Sequence, residues 1–134
     1  MKINPYLNFN GQCREAFEFY AQTFDCTTET AMTFGESPMR DDVPPEWHDK
    51  VVHTQLMVAG TLLMGSDTPP DYYEKPQGIS VALHVDSTEE AARIFQALAQ
   101  NGKVIMALEK TFWAERFGML TDQFGIPWMV NCEK

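Results

Sequence analysis

Positive charge is what this sequence has least of: 10 Lys and Arg stand against 19 Asp and Glu, a formal net charge of −9. A surface of that sign repels phosphate backbones and anionic bilayers, and no basic stripe offsets it, so neither nucleic acid nor a membrane is expected as a partner. The acidic residues are scattered (Glu36, Asp41, Asp42, Asp67, Asp71, Glu74) and read as solubilising charge. Long apolar runs are missing too, and the opening Met1-Lys2-Ile3-Asn4-Pro5 does not read as a signal peptide, so a cytoplasmic protein is expected. The three cysteines, Cys13, Cys26 and Cys132, lie far apart with no Cys-x-x-Cys. That excludes a zinc knuckle and a thioredoxin-type pair and leaves buried thiols in a reducing compartment. No Gly-x-Gly-x-x-Gly or Walker A loop offers a phosphate cradle, and no Gly-x-Ser-x-Gly elbow carries a nucleophile.

What is present is a globular composition, 44% hydrophobic and 12% aromatic over 134 residues. A chain of this length buries roughly two-thirds of its unfolded surface and needs no disulfide or structural metal. Residues 3–9 alternate, Leu7 and Phe9 on one face and Tyr6 and Asn8 on the other, which predicts a strand. Asn10 is placed to cap the helix that follows, whose apolar stripe is Cys13, Ala16, Phe17, Tyr20 and Phe24. Residues 27–34 are rich in β-branched side chains and predict a second strand. A Pro-rich, acidic loop over 35–49 precedes a strand over 51–58, the turn Ala59-Gly60 and a strand beginning at Thr61.

After a Pro-rich connector the order repeats. Residues 79–85 predict a strand, and Ser87-x-x-Glu90 is a capping box opening a helix with the stripe Ala91, Ile94, Phe95 and Leu98. Asn101-Gly102 stops that helix, and three strands follow over about 103–108, 114–121 and 126–131, the last two joined by the turn Asp122-Gln123-Phe124-Gly125. The chain therefore reads as an α+β fold of two tandem βαβββ modules: module one about 1–67, linker about 68–77, module two about 78–134, the two expected to pack as one domain.

Particular residues carry a resemblance. Pro5-Tyr6-Leu7-Asn8-Phe9-Asn10-Gly11 runs into Glu15-Ala16-Phe17-Glu18-Phe19-Tyr20. Val52-His53-Thr54, Leu63-Met64-Gly65-Ser66-Asp67, Thr111-Phe112-Trp113-Ala114-Glu115-Arg116-Phe117-Gly118 and Thr121-Asp122-Gln123-Phe124-Gly125-Ile126-Pro127-Trp128 complete the set. Together they resemble the PhnB-like branch of the vicinal oxygen chelate superfamily, the glyoxalase, bleomycin-resistance and dioxygenase group. Members of this branch are also labelled 3-demethylubiquinone-9 3-methyltransferase-like. The resemblance implies mixed sheets curved into cups and, in metal-dependent members, a divalent ion held by His and Glu from the first and fourth strands of each module. Those positions fall near Asn4 or Pro5, Leu63, Ser80 and Met129, none of them His, Asp or Glu. A catalytic ion needs about three strong protein ligands, and a thioether is a soft one. No metal or other cofactor is expected. The methyltransferase label is not expected to describe an activity, because no glycine-rich strand-to-helix turn is present for a methyl donor.

His53 is the best catalytic candidate. In a strand over 51–58 it shares a face with Gln55 and Met57, opposite Val52, Thr54, Leu56 and Val58, and an imidazole in the cup could bind a substrate oxygen or act as a general base. The competing reading is a hydrogen-bonded structural histidine. His84 is expected at the surface and His48 in a solvated loop. The expected pocket lining is His53, Gln55, Met57, Ser80, Trp113, Arg116 and Met129, with Trp128 assigned to packing. The resulting expectation is metal-free binding of a small apolar or aromatic molecule by a homodimer. The alternatives are a metal-dependent lyase, isomerase or dioxygenase of the superfamily and a homodimer with a vestigial pocket.

Overall fold

Ten strands and helices follow one another in the computed structural model, which describes residues 1–29 and 31–133. They are β1 (Tyr6–Phe9), α1 (Cys13–Thr23), β2 (Met32–Thr33), β3 (Val51–Val58), β4 (Thr61–Asp67), β5 (Val81–His84), α2 (Thr88–Ala99), β6 (Lys103–Glu109), β7 (Arg116–Thr121) and β8 (Pro127–Cys132). The order is βαβββ twice, an α+β fold. Two compact units divide the chain, Met1–Glu74 and Lys75–Lys134.

Unit one holds a mixed four-stranded sheet in the order β1-β4-β3-β2, with β1 parallel to β4 and the remaining pairs antiparallel. Strand alternation sorts its side chains. Leu7, Phe9, Thr54, Leu56 and Leu63 are buried on one face, against Ala16, Phe17 and Tyr20 of α1. Gly65 belongs to the same face, and a Cβ there would stand 2.6 Å from Cε1 of Phe17. The missing side chain is what lets the ring lie on the sheet. Phe24, expected in the helix stripe, instead follows the helix end half-buried, and Thr23 is buried in its place.

The cap of α1 differs from expectation. Asn10 does not cap it; Gln12 occupies the N-cap position without a side-chain hydrogen bond. The free Cys13 N–H donates instead to Oδ1 of Asp67 at 2.9 Å, while Val51 N–H donates to Oδ2 at 2.9 Å. Asp67 is 3% exposed. This carboxylate is therefore a buried strut joining α1, β3 and β4, not solubilising charge, and it satisfies one of the orphan donors at a helix start. The strand expected over 27–34 shrinks to Met32–Thr33, and Thr30 within that range lies outside the described residues. Short helical turns at Phe34–Glu36, Arg40–Asp42 and Pro45–Trp47 organise the loop that follows, the first closed by a reciprocal capping box between Thr33 and Glu36.

Unit two repeats the plan in the order β5-β8-β7-β6, with β5 parallel to β8. Ala91, Ile94, Phe95 and Leu98, the predicted stripe of α2, are all buried, and Ser87 Oγ accepts from Glu90 N–H at 3.1 Å. Leu120, Trp128, Val130 and Cys132 form the opposing face of the sheet. Gly118 gives Phe95 the same clearance that Gly65 gives Phe17, a Cβ there standing 2.6 Å from the ring. Asp122 is buried and ties the β7–β8 turn: Oδ1 accepts from Phe124 N–H and Ile126 N–H, and Oδ2 from the Trp128 indole N–H at 2.8 Å. Trp128 is thus a packing residue with its one donor satisfied.

Candidate functional site

Each sheet has one face turned to its helix and one turned away, and the second is where a ligand could be met. In unit one the row Tyr6–Met64–Gln55 crosses β1, β4 and β3, with Met32 beside His53 further along. Tyr6 Oη and His53 Nδ1 are 3.2 Å apart, with ring centroids 5.8 Å apart. The tyrosine therefore reaches over β4 to hold the imidazole, and the ring nitrogen left over is Nε2. Gln55 donates from Nε2 to Oε2 of Glu29 at 2.7 Å, and Met57, 55% exposed, lies on the same face.

In unit two the corresponding row is Ala82–Met129–Met119–Met106. The next row is His84–Asn131–Phe117, where Asn131 Nδ2 donates to His84 Nδ1 at 3.3 Å. Asn131 is buried, and its Oδ1 has no hydrogen-bond partner among the described residues. Trp113, half-exposed, stands edge-on to Phe117 and Phe112, with centroid separations of 5.2 and 4.7 Å.

The expected lining residues thus fall into separate groups. His53, Gln55 and Met57 share the outer face of the first sheet, and Met129 lies on that of the second. Ser80 sits one residue before β5, half-buried, in alternation with Ala82. Arg116 pairs with Cys132, on the side of β7 that carries Gly118 and Leu120, and donates to its neighbour Glu115 O. Its register does not place it with Phe117 and Met119. His48 is held by Arg40 O at 2.9 Å and orders the Pro-rich loop. Tyr6, Met64, Met119 and Asn131 were not singled out from sequence. Matching Met64-Gly65-Ser66 to Met129-Val130-Asn131 would have found two of them, Met64 and Asn131, since the two stretches occupy equivalent strands.

That match also moves the superfamily's metal positions. Leu63 is 4% exposed on the helix side, so the fourth-strand position of module one passes to Met64 or Ser66. On the outer faces the first and fourth strands then offer Tyr6, Asn8, Met64 and Ser66 in one unit and Ala82, His84, Met129 and Asn131 in the other. One imidazole, amides, hydroxyls and thioethers do not fit a hard catalytic divalent ion. Among the described residues no three His, Cys, Asp or Glu side chains come together. No helix among them is long and apolar enough to cross a membrane.

Comparison with known proteins agrees with this architecture. The sequence model of a family described as 3-demethylubiquinone-9 3-methyltransferase matches residues 1–131. Protein YjdN of Escherichia coli K12 is 36% identical over 142 residues, spanning 100% of this chain and 97% of that protein. The crystal structure of PA1353 from Pseudomonas aeruginosa superposes with a TM-score of 0.90 at 51% identity, covering 99% of this chain and 98% of that one. A Bacillus cereus PhnB protein, a putative 3-demethylubiquinone-9 3-methyltransferase, gives 0.82 at 25% identity over 98% and 99% of the two chains. The fosfomycin resistance protein FosX of Listeria monocytogenes shares the fold alone, with a TM-score of 0.67 at 10% identity over 100% and 93%. Duplicated βαβββ units, a match over nearly the whole chain and these structural neighbours lead to one statement: the chain belongs to the 3-demethylubiquinone-9 3-methyltransferase family, is PhnB-like, and has a fold shared with glyoxalase and fosfomycin-resistance proteins.

Proposed function

We propose that this protein is a cytoplasmic binder of a small apolar or aromatic molecule, taken up in the sheet cup without a metal. The observation that carries this reading is the placement of thioethers. Met32, Met57, Met64, Met106, Met119 and Met129, six of the 8 methionines, lie on the outer faces of the two sheets. Methionine is unbranched and polarizable, so a wall of thioethers adapts to planar and irregular apolar ligands and makes favourable sulfur–aromatic contacts. The same atoms are poor donors to hard ions, which is why the reading needs no metal. Methyl transfer is not part of it: the β1–α1 connection, Asn10-Gly11-Gln12, holds a single glycine, and the sheets are short βαβββ sheets.

A thermal-shift screen of neutral aromatic compounds tests the proposal. A ligand at 100 times its Kd adds about 2.7 kcal/mol of stability, a rise of several degrees in Tm. Met129→Glu sets a carboxylate against such a ligand and should weaken binding at least tenfold, about 1.4 kcal/mol. Elemental analysis of dialysed protein should find divalent metal well below one equivalent.

A second reading is favoured by the Tyr6–His53 contact, which would orient the imidazole and leave Nε2 to meet a substrate. That enzyme reading replaces the first if a tightly held ion is found and His53→Ala removes it, or if a turnover is found that His53→Ala abolishes.

A further inference from the structure

We infer that Met106, Met119 and Met129 form a three-thioether site for a soft monovalent cation, copper(I) or silver(I), on the outer face of the second sheet. Register brings them together. Met119 of β7 is paired directly with Met129 of β8 on one side and with Met106 of β6 on the other. Directly opposed residues point to one face, so three sulfurs stand side by side across neighbouring strands. The register of β6 shifts on both sides of Met106, but the pairing of Met106 with Met119 lies between the shifts and is intact. Unit one has no counterpart, because its equivalent row holds Tyr6, Met64 and Gln55.

Two strand spacings put the outer Cα atoms of such a row about 10 Å apart. A trigonal ion at about 2.3 Å, the ordinary metal–sulfur length, sets its sulfurs about 4 Å from one another. Met106 and Met129 must therefore each lean about 3 Å toward Met119. Methionine can do so, being unbranched with three rotatable bonds. Met106 is 47% exposed and its two partners are half-buried, so the sulfurs are neither locked in the core nor beyond reach of solvent. Donor chemistry selects the ion: neutral thioethers are soft, matched to copper(I) and not to hard divalent ions. Binding changes no oxidation state, and it releases no proton because a thioether has none to lose. A chain of net charge −9 also draws cations toward its surface. The inference does not rest on the ligand proposed above, which uses the same wall only as apolar surface.

Thiols compete for soft ions, and of the three only Cys26 is not buried, so the test uses Cys26→Ser protein. Silver(I), a redox-stable stand-in for copper(I), is titrated in chloride-free buffer into protein whose methionine methyl groups carry carbon-13. One equivalent should move the resonances of Met106, Met119 and Met129 together and leave Met39, exposed in the loop after β2, in place. Zinc(II) should move none of them. Met119→Leu conserves volume and fold and should weaken silver binding at least about tenfold, whereas Met39→Leu should leave it unchanged. Affinity should be equal at about pH 6 and about pH 8, a range over which imidazole and thiol ligands titrate and thioethers do not. Copper(I), kept reduced by ascorbate without oxygen and competed with a bicinchoninate chelator, should show the same loss in Met119→Leu. Shifts confined to other methionines, an affinity indifferent to Met119→Leu, or one that rises steeply with pH overturns the inference. The thermal-shift screen of neutral aromatic compounds contains no such ion, so the two proposals fail separately.

Discussion

Two burdens fall on the thiol of Cys13. It is fully buried, and its own backbone N–H holds the Asp67 carboxylate beside it. Burial first, and the negative charge of Asp67 second, push its pKa well above a thiol's ordinary 9.0. The folded state therefore keeps the thiol neutral while the unfolded chain ionises it freely. The stability this difference contributes is complete below the ordinary thiol value and is lost as pH rises above it, by up to about 1.4 kcal/mol per pH unit. Urea titrations of wild type and Cys13→Ala should show their stability difference shrinking from about pH 9 upward, with no such change between about pH 6 and 8. Cys26, half-buried, should react first with a thiol reagent, and Cys13 only as the protein unfolds. Parity fixed much at this scale before any coordinates: the pairings Tyr6 with Asn8 and His53 with Gln55 and Met57 are the ones found. Asp67 was not legible. Its partners are 54 and 16 residues away, and a lone Asp after a strand looks the same in sequence whether it points to water or into a helix end.

Among the elements, the contact that positions each outer face is the seating of a helix on its sheet. Phe17 over Gly65 and Phe95 over Gly118 are the closest such seats, and in both a Cβ would stand 2.6 Å from a ring carbon. Adding that carbon forces the ring off its rotamer or the helix off the sheet, which costs about 1–3 kcal/mol in a packed core. Gly65→Ala and Gly118→Ala should each lower the unfolding free energy by that amount, read as a lower urea midpoint at unchanged slope, and Phe17→Leu should restore part of the loss in Gly65→Ala alone. A Gly65→Ala protein of wild-type stability would mean that α1 rides higher than described. Apolar periodicity made both helices legible, including the whole buried stripe of α2. It misjudged β2, because β-branched content measures fit to a pleated surface and says nothing of how many partner residues that surface offers. It also missed the N-cap of α1, where a distant carboxylate displaced the local candidate Asn10.

At the scale of the whole molecule the duplication was legible as element order, while the exact correspondence of positions was not. Reading Leu63 as the partner of Met129 is wrong by one residue, and one residue turns a strand side chain to the opposite face. Register settles it, Tyr6 with Met64 matching Ala82 with Met129. Those outer faces carry little charge of their own, yet they sit in the field of a chain with net charge −9. A neutral wall in an acidic molecule should discriminate ligands by charge through that field and not through contacts. Three aromatic probes of one shape, cationic, neutral and anionic, should therefore bind in that order at low ionic strength. Raising salt from about 0.02 to about 0.5 M shortens the screening length from about 21 to about 4 Å, which should bring the three affinities together. Titration calorimetry at the two salt concentrations measures both effects. If the order survives high salt, a specific charged side chain makes the choice, and Glu29 beside Gln55 is the first to replace. If the anionic probe binds best at low salt, the field does not govern the site and a local cation such as Arg116 reaches it despite its register.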